Sequence, residues 1–358
     1  MPPANVKRTR PAKDPWGAGR RHSTAVLAII CVSYFMVILD NSIIFTALPS
    51  IRAGMDLTDT GLARVQDAYA LLFGGLMLLG ARSGDLLGRR RMFLVSLVVF
   101  ALASFLVGAA PTGWWLIAAR ALQGVGAAFL APTSLALLTA SFPEGPQRSR
   151  AVATYAAVAG IGASAGLVVG EAVTDWISWR AGFFLNVPIA AAMIWAGLRH
   201  LAETPRRPGR FDLIGALTAT LGMGPLVFAV IESADVGWAD PRTVGALLVG
   251  VVMLVALVLN EARAEQPIMP LRLFASRARS GAYAIRLLYL GAMIGFFYFT
   301  TQFLQDVLGW TALQAGFGFL PMTAVNFIVA LRVPSLARRL GSPTVLTTGI
   351  VLTLAGMA

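Results

Sequence analysis

Residues 80–91 read Gly-Ala-Arg-Ser-Gly-Asp-Leu-Leu-Gly-Arg-Arg-Arg, a tight charged turn between two long apolar segments. The flanking stretches, residues 62–79 and 92–110, each approach the roughly 20 apolar residues that a membrane-spanning helix needs. The turn itself concentrates four arginines and one aspartate. Because the turn is so short, the two flanking segments are predicted to form consecutive membrane helices.

The composition of the whole chain also indicates a membrane protein. Of the 358 residues, 57% are hydrophobic and 13% are charged, whereas soluble domains carry about 25% charged residues. The net charge of +12 would suggest nucleic-acid binding in a soluble protein. Here the charge lies in short loops and a tail, so membrane topology explains it and no nucleic-acid partner is predicted.

The inventory of cysteines and histidines argues against metal chemistry. Cys31 is the one cysteine, and His22 and His200 are the two histidines. A single thiol cannot form a disulfide framework within one chain, and both histidines lie near predicted helix ends. We therefore expect neither a metal site nor a cofactor.

The hydropathy pattern predicts an all-α membrane protein with about 11 transmembrane helices. An eleventh apolar segment begins near Thr344 and reaches the last residue, Ala358. Residues 1–22 are polar and basic and are predicted to be a disordered tail. They are not a cleavable signal peptide, because the apolar run that follows is too long and contains Asp40. The ten full-length segments are roughly 24–48, 62–81, 92–111, 114–139, 151–174, 180–201, 212–232, 242–260, 281–304 and 315–337.

The distribution of basic residues predicts the orientation. With the N-terminus placed in the cytoplasm, 22 Lys and Arg residues fall in cytoplasmic segments. Only Arg52, Arg64, Arg180 and Arg242 fall in outer loops. The positive-inside rule therefore predicts a multi-pass protein of the bacterial cytoplasmic membrane with a cytoplasmic N-terminus.

Four motifs in order along the chain resemble those of the major facilitator superfamily. The turn resembles the superfamily signature G-x-x-x-D-x-x-G-R-[RK] between helices 2 and 3, with Gly84, Asp85, Gly88, Arg89 and Arg90 in register. The other three resemble motifs of the fourteen-helix drug:proton antiporters. They are L-D-x-T-I-V-N-V-A-L-P at residues 39–49, R-x-x-Q-G-x-G-A-A at residues 120–128, and Q-[YF]-L-Q followed by L-Q-A-G-x-x-F-L-P at residues 302–321.

The resemblance implies a domain organisation of six helices, two extra helices and six more. Helices 12–14 of that pattern have no counterpart in this sequence, and residues 344–358 would reach only about 22 Å as a helix. We therefore expect a truncated C-terminal half and a chain that cannot transport alone. The predicted units are a tail (1–22), a six-helix bundle (23–201), a cytoplasmic linker (202–211), the extra pair (212–260), an interfacial connector (261–280) and the start of the second bundle (281–358).

The resemblance also implies a function, namely export of small amphipathic compounds against an inward flow of protons. A metabolite or antibiotic self-resistance exporter with the same coupling is an alternative, and a non-transporting membrane sensor or adaptor is another. An enzyme is not expected, because no nucleophile-and-base set is visible. The chain also lacks a Gly-x-x-x-x-Gly-Lys nucleotide loop. The expected partners are protons, substrate and the lipid bilayer, and a monomer is expected.

Asp40 and Arg120 are the candidate proton-coupling residues. A central aspartate costs about 2.5–3.5 kcal/mol to insert, and ionisable residues inside the membrane are functional by default. Asp40 and Arg120 lie at similar depths, about 12 and 10 Å inside the outer helix ends, so they could form a pair. The structural alternatives are an aspartate bonded by its neighbours and an arginine that snorkels outward. Gln123, Gly124 and Gly126 complete the fourth-helix motif.

The turn and a glycine face supply the remaining candidate residues. The resemblance implies that Asp85 and the adjacent arginines latch the cytoplasmic side, although a solvated positive loop is the simpler reading. Gly162, Gly166 and Gly170 repeat every four residues and predict close helix packing. Glu171 departs from the antiporter pattern, and its role is open. Arg286, near the cytoplasmic end of its helix, is expected to snorkel.

Overall fold

The computed structural model describes residues 20–206, 209 and 212–357. Over these residues the secondary structure is helical, and the described part contains no strand. The α-helices are α1 (Arg20–Met55), α2 (Asp59–Leu87), α3 (Arg89–Gly108), α4 (Gly113–Ser141), α5 (Pro146–Trp176), α6 (Trp179–Phe184), α7 (Asn186–His200), α8 (Leu213–Val236), α9 (Pro241–Arg263), α10 (Arg277–Gln302), α11 (Ala312–Leu340) and α12 (Ser342–Met357).

The helices coincide with the predicted apolar segments, and α1, α2 and α4 run beyond them at both ends. Residues 20–22 of the predicted tail already belong to α1, and residues 1–19 lie outside the described part. The predicted sixth segment divides at Leu185 into α6 and α7. The predicted connector contains a short 3₁₀ turn, Leu271–Phe274, and a π-helical turn, Phe303–Val307, follows α10.

Length and apolar character identify the helices that can cross a bilayer. Within the described residues, eight helical segments satisfy both, and a bent pair within α11 makes nine if it counts as one span. α5 is not among the eight, although its 31 residues would reach about 46 Å. α12 is a shorter apolar helix. The all-α membrane fold predicted from the sequence is confirmed.

The charged turn is a single residue between two helices. α2 ends at Leu87, Gly88 adopts φ +103°, and α3 begins at Arg89. Only glycine takes this backbone region without steric cost. The carboxylate of Glu203 accepts hydrogen bonds from the backbone N–H groups of Arg90 and Arg91, both 3.1 Å long. A carboxylate at this position satisfies free N–H groups and complements the helix dipole of α3.

Close glycine contacts bring α4 against α2 and α3. A Cβ at Gly80 would lie 2.2 Å from the Ala128 carbonyl oxygen, and one at Gly124 would lie 2.4 Å from the Tyr69 carbonyl oxygen. A Cβ at Gly126 would lie 2.8 Å from the Phe100 backbone nitrogen. A side chain at any of these positions would push the helix axes apart, so the small residues set the spacing around α4.

Two apolar clusters fill the interior of the first seven helices. The first contains Ile30, Phe93 and Phe100, and the second contains Ile51 and Phe183. Along α1 the two clusters are separated by the turn that carries Asp40. A buried polar layer therefore lies between two apolar layers.

The later helices pack onto this bundle at two places. The α8–α9 hairpin packs on α2, and α11 packs along α5. The packing of α10 is different, because none of its described side chains is buried. Its ring contact with α11 joins Phe297 to Phe319, with the ring centroids 5.0 Å apart.

Candidate functional site

Asp40 lies at the centre of a buried polar cluster. Its side chain is fully buried in the middle of α1. One carboxylate oxygen, Oδ2, accepts a hydrogen bond from Arg120 Nη1 at 3.0 Å. The other, Oδ1, accepts from Gln123 Nε2 at 2.8 Å and from Asn186 Nδ2 at 2.7 Å. Three donors therefore compensate one buried negative charge.

Arg120 is fully buried on α4 and forms the second half of the ion pair. Its Nη1 also donates to Gln123 Oε1 at 2.6 Å. Its Cζ lies 4.4 Å from the centroid of the Tyr69 ring, which is a cation–π contact. Its Nε and Nη2 have no hydrogen-bond partner within the described part of the chain. The guanidinium therefore depends mainly on Asp40 for charge compensation.

Ser104 of α3 and Asn186 of α7 complete the cluster. Gln123 Nε2 donates to Ser104 Oγ at 2.8 Å, and Asn186 Nδ2 lies 3.4 Å from the same oxygen. Together with Asp40, Arg120 and the ring of Tyr69, these residues join five helices. A change in the charge of Asp40 would therefore alter side-chain contacts on all five helices.

Part of this cluster was predicted from the sequence, and the rest was not. Asp40, Arg120 and Gln123, chosen from motifs, are brought together. Gly124 of the same motif lies at the contact between α4 and α2 and Gly126 at the contact with α3. The residues missed were Ser104, Asn186 and Tyr69. A polar residue inside an apolar segment is a usable signal for the first two, but spacing along the chain could not show which helices meet.

A second acidic residue also lies inside a membrane helix. Asp67 is half-buried on α2, within the span Thr60–Leu87. Asp67 belongs to none of the four sequence motifs, although an acidic residue within a spanning helix is itself a signal of function.

The charged turn makes its bonds mainly within the first seven helices. Asp85 accepts from Arg89 Nη2 at 2.8 Å, an i, i+4 ion pair at the turn between α2 and α3. Arg90 Nη2 donates to the Leu198 carbonyl at 2.8 Å. A bond from Arg82 to Gln266, 2.7 Å long, connects the turn with the connector after α9. A Cβ at Gly84 would lie 3.1 Å from Thr133 Cγ2, so Gly84 packs against α4.

The predicted glycine face of α5 lies against α1. A Cβ at Gly166 would lie 2.5 Å from Ser42 Cβ, and one at Gly162 would lie 3.0 Å from Ile38 Cγ2. Gly170 is buried one turn further along α5. The side chain of Glu171 lies outside the described residues.

Arg286 is exposed on α10. The expectation that it snorkels to the cytoplasmic surface stays a prediction. The structure describes no group of three or more His, Cys, Asp or Glu residues that could hold a metal ion among the residues searched.

Comparison with known proteins identifies relatives over nearly the whole chain. Residues 30–358 match the family described as the Major Facilitator Superfamily. The chain is 40% identical over 334 residues to EfpA of Mycobacterium tuberculosis, an uncharacterised MFS-type transporter, covering 93% of this chain and 62% of EfpA. The chain thus spans about three fifths of that relative's length.

Two further relatives carry more specific names. The cephamycin export protein CmcT of Amycolatopsis lactamdurans is 39% identical over 335 residues, which cover 92% of this chain and 69% of CmcT. The puromycin resistance protein pur8 of Streptomyces alboniger is 41% identical over 298 residues, which cover 83% of this chain and 59% of pur8.

Among solved structures, the human organic anion transporter MFSD10 has a similar fold. The TM-score is 0.55 at 15% identity, and the superposition covers 86% of this chain and 71% of MFSD10. At this identity the similarity concerns the fold alone.

Proposed function

The chain belongs to the major facilitator superfamily, and we propose that it is a proton-coupled exporter of small amphipathic compounds, antibiotics among them. The observation that carries this proposal is the buried pair of Asp40 and Arg120. A carboxylate and a guanidinium with no exposed surface sit between two apolar layers of a membrane bundle. Such a pair contributes little to stability compared with apolar residues, so a functional role accounts better for its presence.

The geometry supports Asp40 as the proton acceptor. As a carboxylate, Asp40 matches three donors, from Arg120, Gln123 and Asn186. Protonation removes the charge that compensates Arg120, and a buried, uncompensated guanidinium is strongly unfavourable. The cluster must then rearrange or admit water. Because it joins five helices, gain and loss of one proton can shift the balance between two arrangements of the bundle.

The substrate class of the proposal comes from the relatives. Two of them are named for cephamycin export and puromycin resistance. This favours export of antibiotics or self-made compounds over uptake of nutrients.

The proposal also includes the membrane location, orientation and oligomeric state of the protein. We place it as a monomer in the bacterial cytoplasmic membrane with its N-terminus in the cytoplasm, as the basic loops favour. In that orientation the turn at residues 84–90 is cytoplasmic. We assign the turn a gating role, in which Asp85 exchanges its bond with Arg89 for contacts with the second bundle during transport.

The test is efflux from living cells. The intact protein is expressed in an efflux-deficient bacterium, and accumulation of puromycin and of fluorescent dyes is measured with and without a protonophore. We expect lower accumulation with the protein and restored accumulation with the protonophore.

The Asp40→Asn variant provides the decisive comparison. It keeps the size of the side chain and removes the titrating group, so efflux should fall to the level of empty vector while the protein stays in the membrane. Asp240→Asn, at the half-buried N-cap of α9, removes an equal charge and should retain efflux. Efflux by Asp40→Asn at the wild-type rate would refute Asp40 as the coupling residue.

A further inference from the structure

Two carboxyl groups meet where α8 begins and α9 ends, the predicted cytoplasmic end of the α8–α9 hairpin. Asp212 is the N-cap of α8, and Glu261 lies in the last turn of α9. A Cβ at Gly215 would lie 2.6 Å from Asp212 Oδ2 and 2.8 Å from Glu261 Oε1. The two oxygens therefore converge beside Gly215, and the two carboxyl groups are within hydrogen-bonding distance of each other.

Glu261 is the member of the pair that lacks compensation. Its side chain is buried, with only 4% of the residue exposed. Its Oε2 accepts a hydrogen bond from the backbone N–H of Met269 at 2.8 Å. Its Oε1 is buried as well and has no hydrogen-bond donor within the described part of the chain. Because a buried negative charge without a donor is strongly unfavourable, Oε1 is the place for a proton.

Asp212 is compensated much better than Glu261. Its Oδ1 accepts a hydrogen bond from the backbone N–H of Gly215 at 2.7 Å. The side-chain Nδ2 of Asn260 lies 3.1 Å from Oδ1 and 2.9 Å from Oδ2. The N-terminus of α8 also favours a negative charge. Hydrogen bonds to a carboxylate favour its ionised form, so Asp212 carries the charge of the pair and Glu261 carries the proton.

The charged side chains around the pair do not neutralise it. Among the residues that the structure describes, no arginine forms an ion pair with Asp212 or Glu261. Two carboxylates without a cation cannot both stay ionised at one buried place, and one of them binds a proton. The charged residues on the neighbouring elements are Arg82 on α2, Glu203 and Arg206 before α8, Glu232 at the far end of α8, Arg263 on α9, and Glu265 and Arg272 after it.

The connector that follows α9 is attached through this pair. Its Met269 N–H is bonded to Glu261, and its Gln266 Oε1 accepts a hydrogen bond from Arg82 Nη2 in the charged turn at 2.7 Å. A Cβ at Gly209 would lie 2.6 Å from the same Gln266 oxygen and 2.7 Å from the same Arg82 nitrogen, so this contact is closely packed. The connector therefore joins the hairpin to the charged turn.

We propose that Asp212 and Glu261 form a second proton-binding site, at the cytoplasmic end of the α8–α9 hairpin, which controls the attachment of the connector. One proton from the cytoplasm binds to Glu261 Oε1 and is donated to Asp212 Oδ2, and Glu261 then holds Met269 in place. When the proton leaves, the two carboxylates repel each other and Glu261 releases Met269. The site lies outside the Asp40 cluster, and its cytoplasmic location rests on the proposed orientation.

The test is hydrogen–deuterium exchange of the backbone amides of residues 264–274 in the purified intact protein in detergent. Exchange is measured at about pH 5.5 and about pH 9, which bracket the range in which buried or paired carboxyl groups titrate. Each rate is divided by that of the unfolded peptide at the same pH, because base accelerates amide exchange. We expect protection of the wild type to fall about tenfold at the higher pH, as loss of one hydrogen bond implies.

Two variants of the pair should abolish this pH response. Glu261→Gln cannot lose a proton, donates an N–H group to Asp212 and still accepts from Met269, so the connector should stay protected at both pH values. Asp212→Asn keeps the cap of α8 and removes the repelling charge, so it should do the same. Glu265→Gln is the matched control, because Glu265 is an exposed acid four residues after Glu261. It should keep the wild-type response.

Three outcomes would overturn the site. They are constant protection of the wild type between the two pH values, a pH response that survives in Asp212→Asn, and an equal loss of the response in Glu265→Gln. The experiment uses neither a proton gradient nor a substrate, and Asp40→Asn should keep the full pH response. Failure of this site is therefore distinguishable from failure of Asp40-dependent efflux.

Discussion

At the scale of single residues, Arg120 and Asp40 depend on each other. Both are fully buried, and Arg120 Nε and Nη2 have no hydrogen-bond partner among the residues that the structure describes, so the Asp40 carboxylate provides most of the charge compensation. Removing either member leaves a buried charge without its counterion. The interaction can therefore be measured as a coupling energy between the two positions.

We predict a strongly non-additive double-mutant cycle. Arg120→Leu and Asp40→Leu should each destabilise the protein by about 3–5 kcal/mol, because each leaves an uncompensated charge. The double variant should lose less than the sum of the two. The measurement is thermal unfolding in detergent at constant pH. Additive losses would show that the pair is not coupled in the folded state.

Some residues of the Asp40 cluster could be predicted from the sequence, and others could not. Asp40 and Arg120 were found because charged residues inside apolar segments are conspicuous. Asn186 and Ser104 are equally buried, yet nothing along the chain shows that α7 and α3 bring them to the same carboxylate. Tertiary contacts between helices, not local pattern, determine the membership of the cluster.

At the scale of helices, small residues fix the distances between axes. The spacing of Gly162, Gly166 and Gly170 predicted a smooth face, and that face lies along α1. The ends of the helices were less predictable. Hydropathy identifies the apolar segment of each helix, but α1, α2 and α4 continue beyond that segment by polar turns. The break at Leu185 was not predicted either, although Asn186 and Pro188 follow it in an otherwise apolar stretch.

We predict that two glycines of α5 respond oppositely to alanine. Gly166→Ala would place Cβ 2.5 Å from Ser42 Cβ and 3.0 Å from the Leu39 carbonyl, and such overpacking costs about 1–3 kcal/mol. A Cβ at Gly160 meets nothing within 4 Å. Gly160→Ala should therefore be neutral or stabilise by up to about 1 kcal/mol, because alanine favours helix.

The measurement for this pair is the unfolding midpoint of the purified variants in one detergent. Gly160→Ala is the matched control, with the same substitution in the same helix. An equal midpoint for both variants would contradict close packing of α5 on α1.

At the scale of the whole molecule, the chain is a set of membrane helices whose charge distribution predicts an orientation. The α8–α9 hairpin packs on α2 and α11 packs along α5, so helices from beyond the first bundle contact it on two sides. These contacts could not be read from the sequence, because they join segments more than 100 residues apart.

We predict the sidedness of two engineered cysteines. The buried native thiol is first removed by Cys31→Ser. Leu87→Cys, in the charged turn, should react with an impermeant thiol reagent only after the cells are opened. Trp238→Cys, which is 61% exposed between α8 and α9, should react in intact cells. Labelling of position 87 in intact cells would reverse the orientation.

The central claim is that a proton on Asp40 drives export, and transport in reconstituted vesicles tests it most directly. Uphill dye accumulation driven by an imposed pH gradient is compared with downhill exchange of labelled for unlabelled dye in the same vesicles. We predict that Asp40→Asn abolishes uphill accumulation and retains downhill exchange, because the substrate path remains while the titrating group is gone. Uphill accumulation by Asp40→Asn at the wild-type rate would contradict proton coupling through this residue.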